Sequence, residues 1–183
     1  FVEAKGAQRP DGAVDLTVFA GRKATFRPKE SLDLNQWFLD RDARQAAQEA
    51  AHKEKAAQKS YVEKGNKDET FRYHISTVVE YDDSLRDEPV LTNQDLVLGI
   101  RPEFLDIVDD SCLEGEIYGA MPTGMESTIK VRIDDFLLTG VIFGSSLFTI
   151  GAKAPLSISG KNIMLFDRKS GQCIAVGSLE FEA

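Results

Sequence analysis

The feature that most restricts this chain is a succession of short β-prone runs, each closed by glycine, proline or aspartate. Glu126–Ile133 alternates apolar and polar residues, as a strand with one buried face must. Asp134-Asp135 interrupts it, and Phe136–Phe143 returns. Residues 154–159 and 162–167 follow, and Arg168-Lys169-Ser170-Gly171 forms a hairpin into residues 172–176. Upstream, residues 113–120 contain glycines that allow a bulge or a tight bend. About ten such segments with turn signals between them predict a small sandwich or barrel.

The N-terminal part begins in the same style. Residues 1–5 read as a first strand ended by Gly6 and a Pro10-Asp11-Gly12 turn, residues 13–19 alternate cleanly, and residues 24–27 make a weaker third strand closed by Pro28. From Ser31 to Gly65 the character changes. Asp33 and Gln36 have the spacing of a capping box, and Leu39, Ala43, Ala46, Ala47 and Ala50 recur at helical spacing. Asp40 with Arg44 and Glu49 with Lys53 are acid-before-base pairs four apart, and Gly65-Asn66 supplies a stop. One long helix is expected, or two with a break near Asp42. Its stripe is mostly alanine, so a solvated insertion is the simpler expectation and a partner-docking helix the alternative.

Residues 71–81 are rich in aromatic and β-branched residues and read as a strand, with His74 one of its alternating positions. Residues 82–89 are an acidic loop without the spacing or glycine of an EF-hand. Residues 96–100 form an apolar run that reads as a buried strand. Pro102 ends it by holding Arg101 extended, and it suits the first position of a helical turn, with Glu103 near the positive end.

Composition removes several classes. A net charge of −8 argues against a protein that tracks phosphate backbones, and no apolar run approaches the length of a membrane span or a signal peptide. Cys112 and Cys173 are too few for a disulfide framework, and Cys112 beside Leu113 is expected to be buried. His52 and His74 are far apart, so no zinc site is expected. Ser159-Gly160-Lys161 echoes a phosphate-binding loop, but Pro155 and Asn162 stand where glycine and Ser/Thr are needed, so a β-turn is expected. Gly144-Ser145-Ser146 lacks the frame of a nucleophile elbow, and Asp109-Asp110 and Asp134-Asp135 read as turn caps. No catalytic residues are expected.

Three pieces in order carry a resemblance: Leu98-Gly99-Ile100-Arg101-Pro102-Glu103, then Thr123-Gly124-Met125-Glu126-Ser127, then Leu165-Phe166-Asp167 ahead of Gly171. Together they resemble the C-terminal regulatory domain, or TOBE domain, of ATPase subunits from sugar-importer ABC transporters of the maltose, multiple-sugar and glycerol-phosphate type. The resemblance implies a mainly β, OB-like barrel with accessory strands and one long helical insertion. Its parts would be residues 1–30 as the first barrel strands, 31–67 as the insertion and 68–183 as the rest of the barrel. It makes Gly99, Arg101, Pro102, Glu103, Gly124, Glu126 and Ser127 motif residues with architectural or regulatory roles.

The resemblance further implies a non-catalytic dimerisation domain on the cytoplasmic side of the membrane. ATP and magnesium would belong to an ATPase domain preceding Phe1, which would fall at the junction. The partners implied are a second copy of the chain, permease subunits reached through that ATPase domain, and a cytosolic regulator. Two other readings stand beside it: a small-anion site built on the 123–127 loop, and an OB-type nucleic-acid binder, which the acidic balance disfavours. The long helix departs from the family's usual domain.

Overall fold

The computed structural model describes residues 1–56, 75–78, 90–109, 111–144 and 147–182. The predicted helix stop at Gly65-Asn66, His74, most of the 71–81 run, the 82–89 loop, Asp110 and Ser145-Ser146 lie outside the described residues.

Alternation builds the first barrel. In β1 (Val2–Gln8), β2 (Val14–Val18) and β3 (Arg22–Pro28), Val2, Ala4, Val14, Leu16, Val18, Ala24 and Phe26 are buried. β4 (Asp95–Gly99) is buried at every position, as its unbroken apolar run requires. With β10 (Ile163–Asp167) and β11 (Cys173–Phe181), these strands close a six-stranded barrel in the order β1-β2-β3-β11-β10-β4. Closure leaves no open edge in this sheet.

Between β4 and β10 the chain builds a second sheet, ordered β5-β9-β6-β7-β8. Its strands are β5 (Leu105–Ile107), β6 (Leu113–Pro122), β7 (Glu126–Ile133), β8 (Phe136–Phe143) and β9 (Lys153–Ile158). Its two edges nearly meet: a Cβ on Gly140 of β8 would lie 2.8 Å from the Leu105 side chain of β5. One barrel with accessory strands is thus too small a description, since the second set is itself a nearly closed barrel. The mainly β, OB-like expectation holds at this coarser level. The β6–β7 register shifts between Ile117 and Gly119, the bulge that the glycines of this strand allow. Thr77 bridges Phe136 along the outside of β8.

The two passages between barrels run side by side. Arg101 is extended (φ −75°, ψ 145°), and Pro102–Phe104 form one 3-10 turn leading into β5, as Pro102 predicts. The return, Ser159-Gly160-Lys161, joins β9 to β10 and is a crossover rather than a hairpin turn. The Ser159 N–H donates to the Phe104 carbonyl at 2.8 Å, and Gly160 lies under the Phe104 ring. Buried residues of both barrels form one hydrophobic cluster.

α1 (Leu34–Ala56) departs from the first barrel without a break at Asp42. The Asp33 carboxylate accepts from the Gln36 N–H at 3.0 Å, the expected N-cap. Its reciprocal half is not made, because the Gln36 amide turns to Asp40 at 2.8 Å. Gln8, at the end of β1, accepts from the Leu34 N–H at 2.7 Å and donates to Leu32 and Gly12 carbonyls. The alanine stripe is not the buried one: Leu39 is 64% exposed and the alanines from Ala43 to Ala50 are exposed. The buried face is Leu34, Phe38 and Arg41, with Trp37 half-buried beside it. Aromatic and leucine side chains remove more apolar area from water than alanine, so they decide which face docks.

Gly177 shows how closely the barrel strands approach. A Cβ there would lie 2.1 Å from the Arg27 carbonyl oxygen of β3, a backbone atom that cannot rotate aside. Gly177→Ala is expected to destabilise the protein by about 1–3 kcal/mol, the cost of overpacking. Urea unfolding checks this; a change within about 0.5 kcal/mol, typical of an inert surface position, would mean that β3 and β11 separate freely.

Candidate functional site

The structure gives the predicted motif residues separate places. Gly99 ends β4 where a Cβ would lie 2.8 Å from the Phe166 ring, so the glycine permits close packing. Arg101 and Glu103 are exposed on the crossover, with Arg101 Nη1 3.9 Å from Glu103 Oε1. Pro102 starts the 3-10 turn. Gly124 turns the chain from β6 to β7 with φ +100°, a left-handed conformation that favours glycine. Ser127 is buried and Glu126 half-buried, and the Glu126 carbonyl accepts from the Thr123 N–H at 2.8 Å and hydroxyl at 3.1 Å.

The two motifs do not converge. The first sits where the barrels join. There Phe19 packs 5.9 Å from Phe136, and the Ala20 N–H reaches Asp134 Oδ2 at 3.4 Å. The second sits at the other end of the β6–β7 hairpin, some eight residues along β7.

That distal end carries what the sequence reading missed. Met125 is 86% exposed, Phe143 73%, Leu147 90%, Met121 65% and Ile150 66%. Strand pairing collects the first three: Met121 is opposite Thr128, Glu126 is opposite Phe143, and the Gly144 N–H donates to the Met125 carbonyl, while the Gly151 N–H donates to Ile117 farther back along β6. Single exposed apolar residues are ordinary, but Met121, Met125 and Phe143 together at the β6–β7 hairpin end, with Leu147 and Ile150 on the segment that follows β8, form an apolar tip of the kind that marks association. A signal was present, since Met121 and Met125 flank Pro122-Thr123-Gly124, a connection expected to be polar.

Comparison with models of known protein families and with curated proteins returns no match. The residues themselves therefore carry the functional reading.

A second arrangement fixes α1. Arg41, fully buried, donates from Nη1 to Asp167 Oδ1 at 2.9 Å, from Nη2 to Asn93 Oδ1 at 2.8 Å, and from Nε and Nη2 to Asp42 Oδ1 at 2.9 and 2.7 Å. Its guanidinium carbon lies 5.0 Å from the Phe38 ring centroid. Asp167, also fully buried, accepts from the Ser170 N–H at 2.9 Å and from its hydroxyl, closing the β10–β11 hairpin. The Leu165-Phe166-Asp167 motif therefore ends in the residue that bolts the helix to the barrel. Each guanidinium nitrogen of Arg41 has at least one acceptor, so the role of this network is anchorage.

Cys112 is exposed, contrary to the expectation of burial, because the strand it precedes turns Leu113 inward instead. Asp134-Asp135 forms the expected turn, with Asp134 at φ 53°. Among the described residues, no group of three or more His, Cys, Asp or Glu side chains is placed to hold a metal ion. No described helix is long and apolar enough to cross a membrane.

Proposed function

We propose that this chain is a non-catalytic regulatory domain that associates two copies of a larger ATP-driven importer subunit for sugars or related solutes, with the apolar tip of the second barrel as the contact. The tip is the observation that carries this reading. Met121 and Phe143 sit on paired strands and Met125 in the tight turn between β6 and β7, so ordering them on contact sacrifices little conformational freedom. The ordered motifs Gly99–Arg101-Pro102-Glu103 and Gly124–Glu126-Ser127 support the TOBE-type resemblance. In this reading they are architectural, one making the crossover and the other the hairpin that bears the tip. ATP and magnesium belong to the ATPase domain implied by the resemblance, which would reach the permease on the cytoplasmic side of the membrane. Pairing of the regulatory domains keeps two ATPases at high effective concentration while their nucleotide sites open and close.

Sedimentation of the chain over a range of concentrations tests the contact. A mass near twice 20.2 kDa is expected at high concentration. Phe143→Asp with Leu147→Asp is expected to weaken pairing by roughly 30-fold or more, the scale of one lost hot-spot residue. A chain that stays monomeric throughout, or a variant that pairs as well as the parent, would sink the proposal. Both substitutions are at exposed positions, so the fold should survive them.

A further inference from the structure

The outer face of β7 carries two unmatched charges on either side of an apolar row. Ser127, Ile129, Val131 and Ile133 are buried, so alternation turns Glu126, Thr128, Lys130 and Arg132 outward. Strand register gives each its neighbours on that face. Thr128 lies between Met121 of β6 and Val141 of β8, and Glu126 lies beside Phe143. Arg132 lies opposite Glu116 and forms an ion pair with it. Glu126 and Lys130 differ, since among the described residues neither side chain has an ion-pair or hydrogen-bond partner. The hairpin uses only the Glu126 carbonyl, which accepts from Thr123, and leaves the carboxylate to the surface. At about 3.3 Å per residue the two charges stand roughly 13 Å apart along the strand, too far for outward side chains to pair.

Opposite charges four residues apart on one strand, with an apolar row midway, make a self-complementary pattern. Two identical chains associate most often about a two-fold axis, which lays a patch of one copy on the same patch of the other. Sheets packed face to face keep their strands nearly aligned, about 10 Å apart. A two-fold axis running along β7 would set Glu126 on Glu126 and Lys130 on Lys130, like against like. An axis crossing the strands at Thr128 instead reverses one β7 against the other and brings each Glu126 to the partner's Lys130. It stacks Met121, Thr128 and Val141 on their counterparts and lays Phe143 over Thr139, the β8 neighbour of Lys130. The self-paired Arg132 and Glu116 then fall at the rim. Like charges juxtaposed across an interface are costly and opposite ones fix its register, so the charges select the second axis.

We propose that two copies of this chain meet through this face, β7 antiparallel to β7, with Glu126 of each copy paired to Lys130 of the other. The inference rests on the reading that copies associate at the apolar tip; it adds which side of the hairpin is covered and in what register.

Charge exchange tests it, read by sedimentation of the whole chain. Lys130→Glu and Glu126→Lys each make both cross-copy pairs repulsive and are expected to weaken self-pairing by at least about tenfold. The double variant reverses the pattern without breaking it, and should pair within about threefold of the parent. An equimolar mixture of the two single variants should form the mixed dimer although neither pairs with itself. Neither side chain is buried, so the fold should survive each change. If the parent pairs and either single variant pairs as well, or the mixture stays apart, this arrangement is overturned while association at the tip stands. A parent that stays monomeric at every concentration removes both.

Discussion

Asp167→Ala is expected to destabilise the protein by about 3–5 kcal/mol, because it removes one partner of a fully buried ion pair and leaves the other charged. Arg41 and Asp167 are both inaccessible to water, with Nη1 and Oδ1 2.9 Å apart. Asp42 cannot substitute fully: its carboxylate is half in solvent, where attraction to a guanidinium is weak. The same change strips the Ser170 N–H and hydroxyl of their acceptor, so the β10–β11 turn loosens as the helix does. Arg41→Met with Asp167→Leu should recover the part due to the uncompensated Arg41 charge, since an apolar pair avoids desolvating two charges, but not the part due to Ser170. Urea unfolding monitored by circular dichroism checks both variants. A loss below about 1 kcal/mol for Asp167→Ala, the value of an exposed ion pair, would mean that water reaches the pair and that the helix is held by Leu34 and Phe38 alone.

Phe26→Ala is expected to cost a similar amount, about 3–5 kcal/mol, through lost burial and the cavity left behind. Phe26 is fully buried, lies opposite Val14 on one side and Leu179 on the other, and its ring tip faces the space beside Gly177. Because both barrels share one apolar cluster and two side-by-side crossovers, the loss should be felt by the whole molecule. Trp37 fluorescence, which reports the helix on the first barrel, should therefore lose its native value at the same urea concentration as the far-ultraviolet signal of both barrels. Separate midpoints would show that the second barrel holds its fold independently.

Much of the local structure was legible because its causes are local. Pro102 restrains Arg101 and itself, so a strand followed by one helical turn could be read from adjacent residues. The Asp33 cap depends on a residue three positions away, and the strands of both barrels announce themselves through alternation. The alanine stripe is exposed, in keeping with the expected solvated insertion, but the docking face was missed for an equally local reason. Alanines at helical spacing form a visible stripe, but Leu34, Phe38 and Arg41 form another, and only the barrel surface chooses between them. β5, three residues long, has too little sequence to show a period at all. The apolar tip draws Met121, Met125 and Phe143 from two hairpins, so strand register assembles what the sequence lists apart.

The sequence by itself determined that this protein is mainly β with one inserted helix, where its main turns fall, and the order of the motifs on which the family resemblance rests. Alternation, proline geometry and capping act between neighbours, so they can be read without a fold. Only the tertiary structure decided that the strands sort into a closed barrel and a nearly closed one. It alone also paired Arg41 with Asp167 and gathered the exposed apolar residues at one end. Each of these depends on pairing between distant segments, and burial, not spacing along the chain, sets its energy.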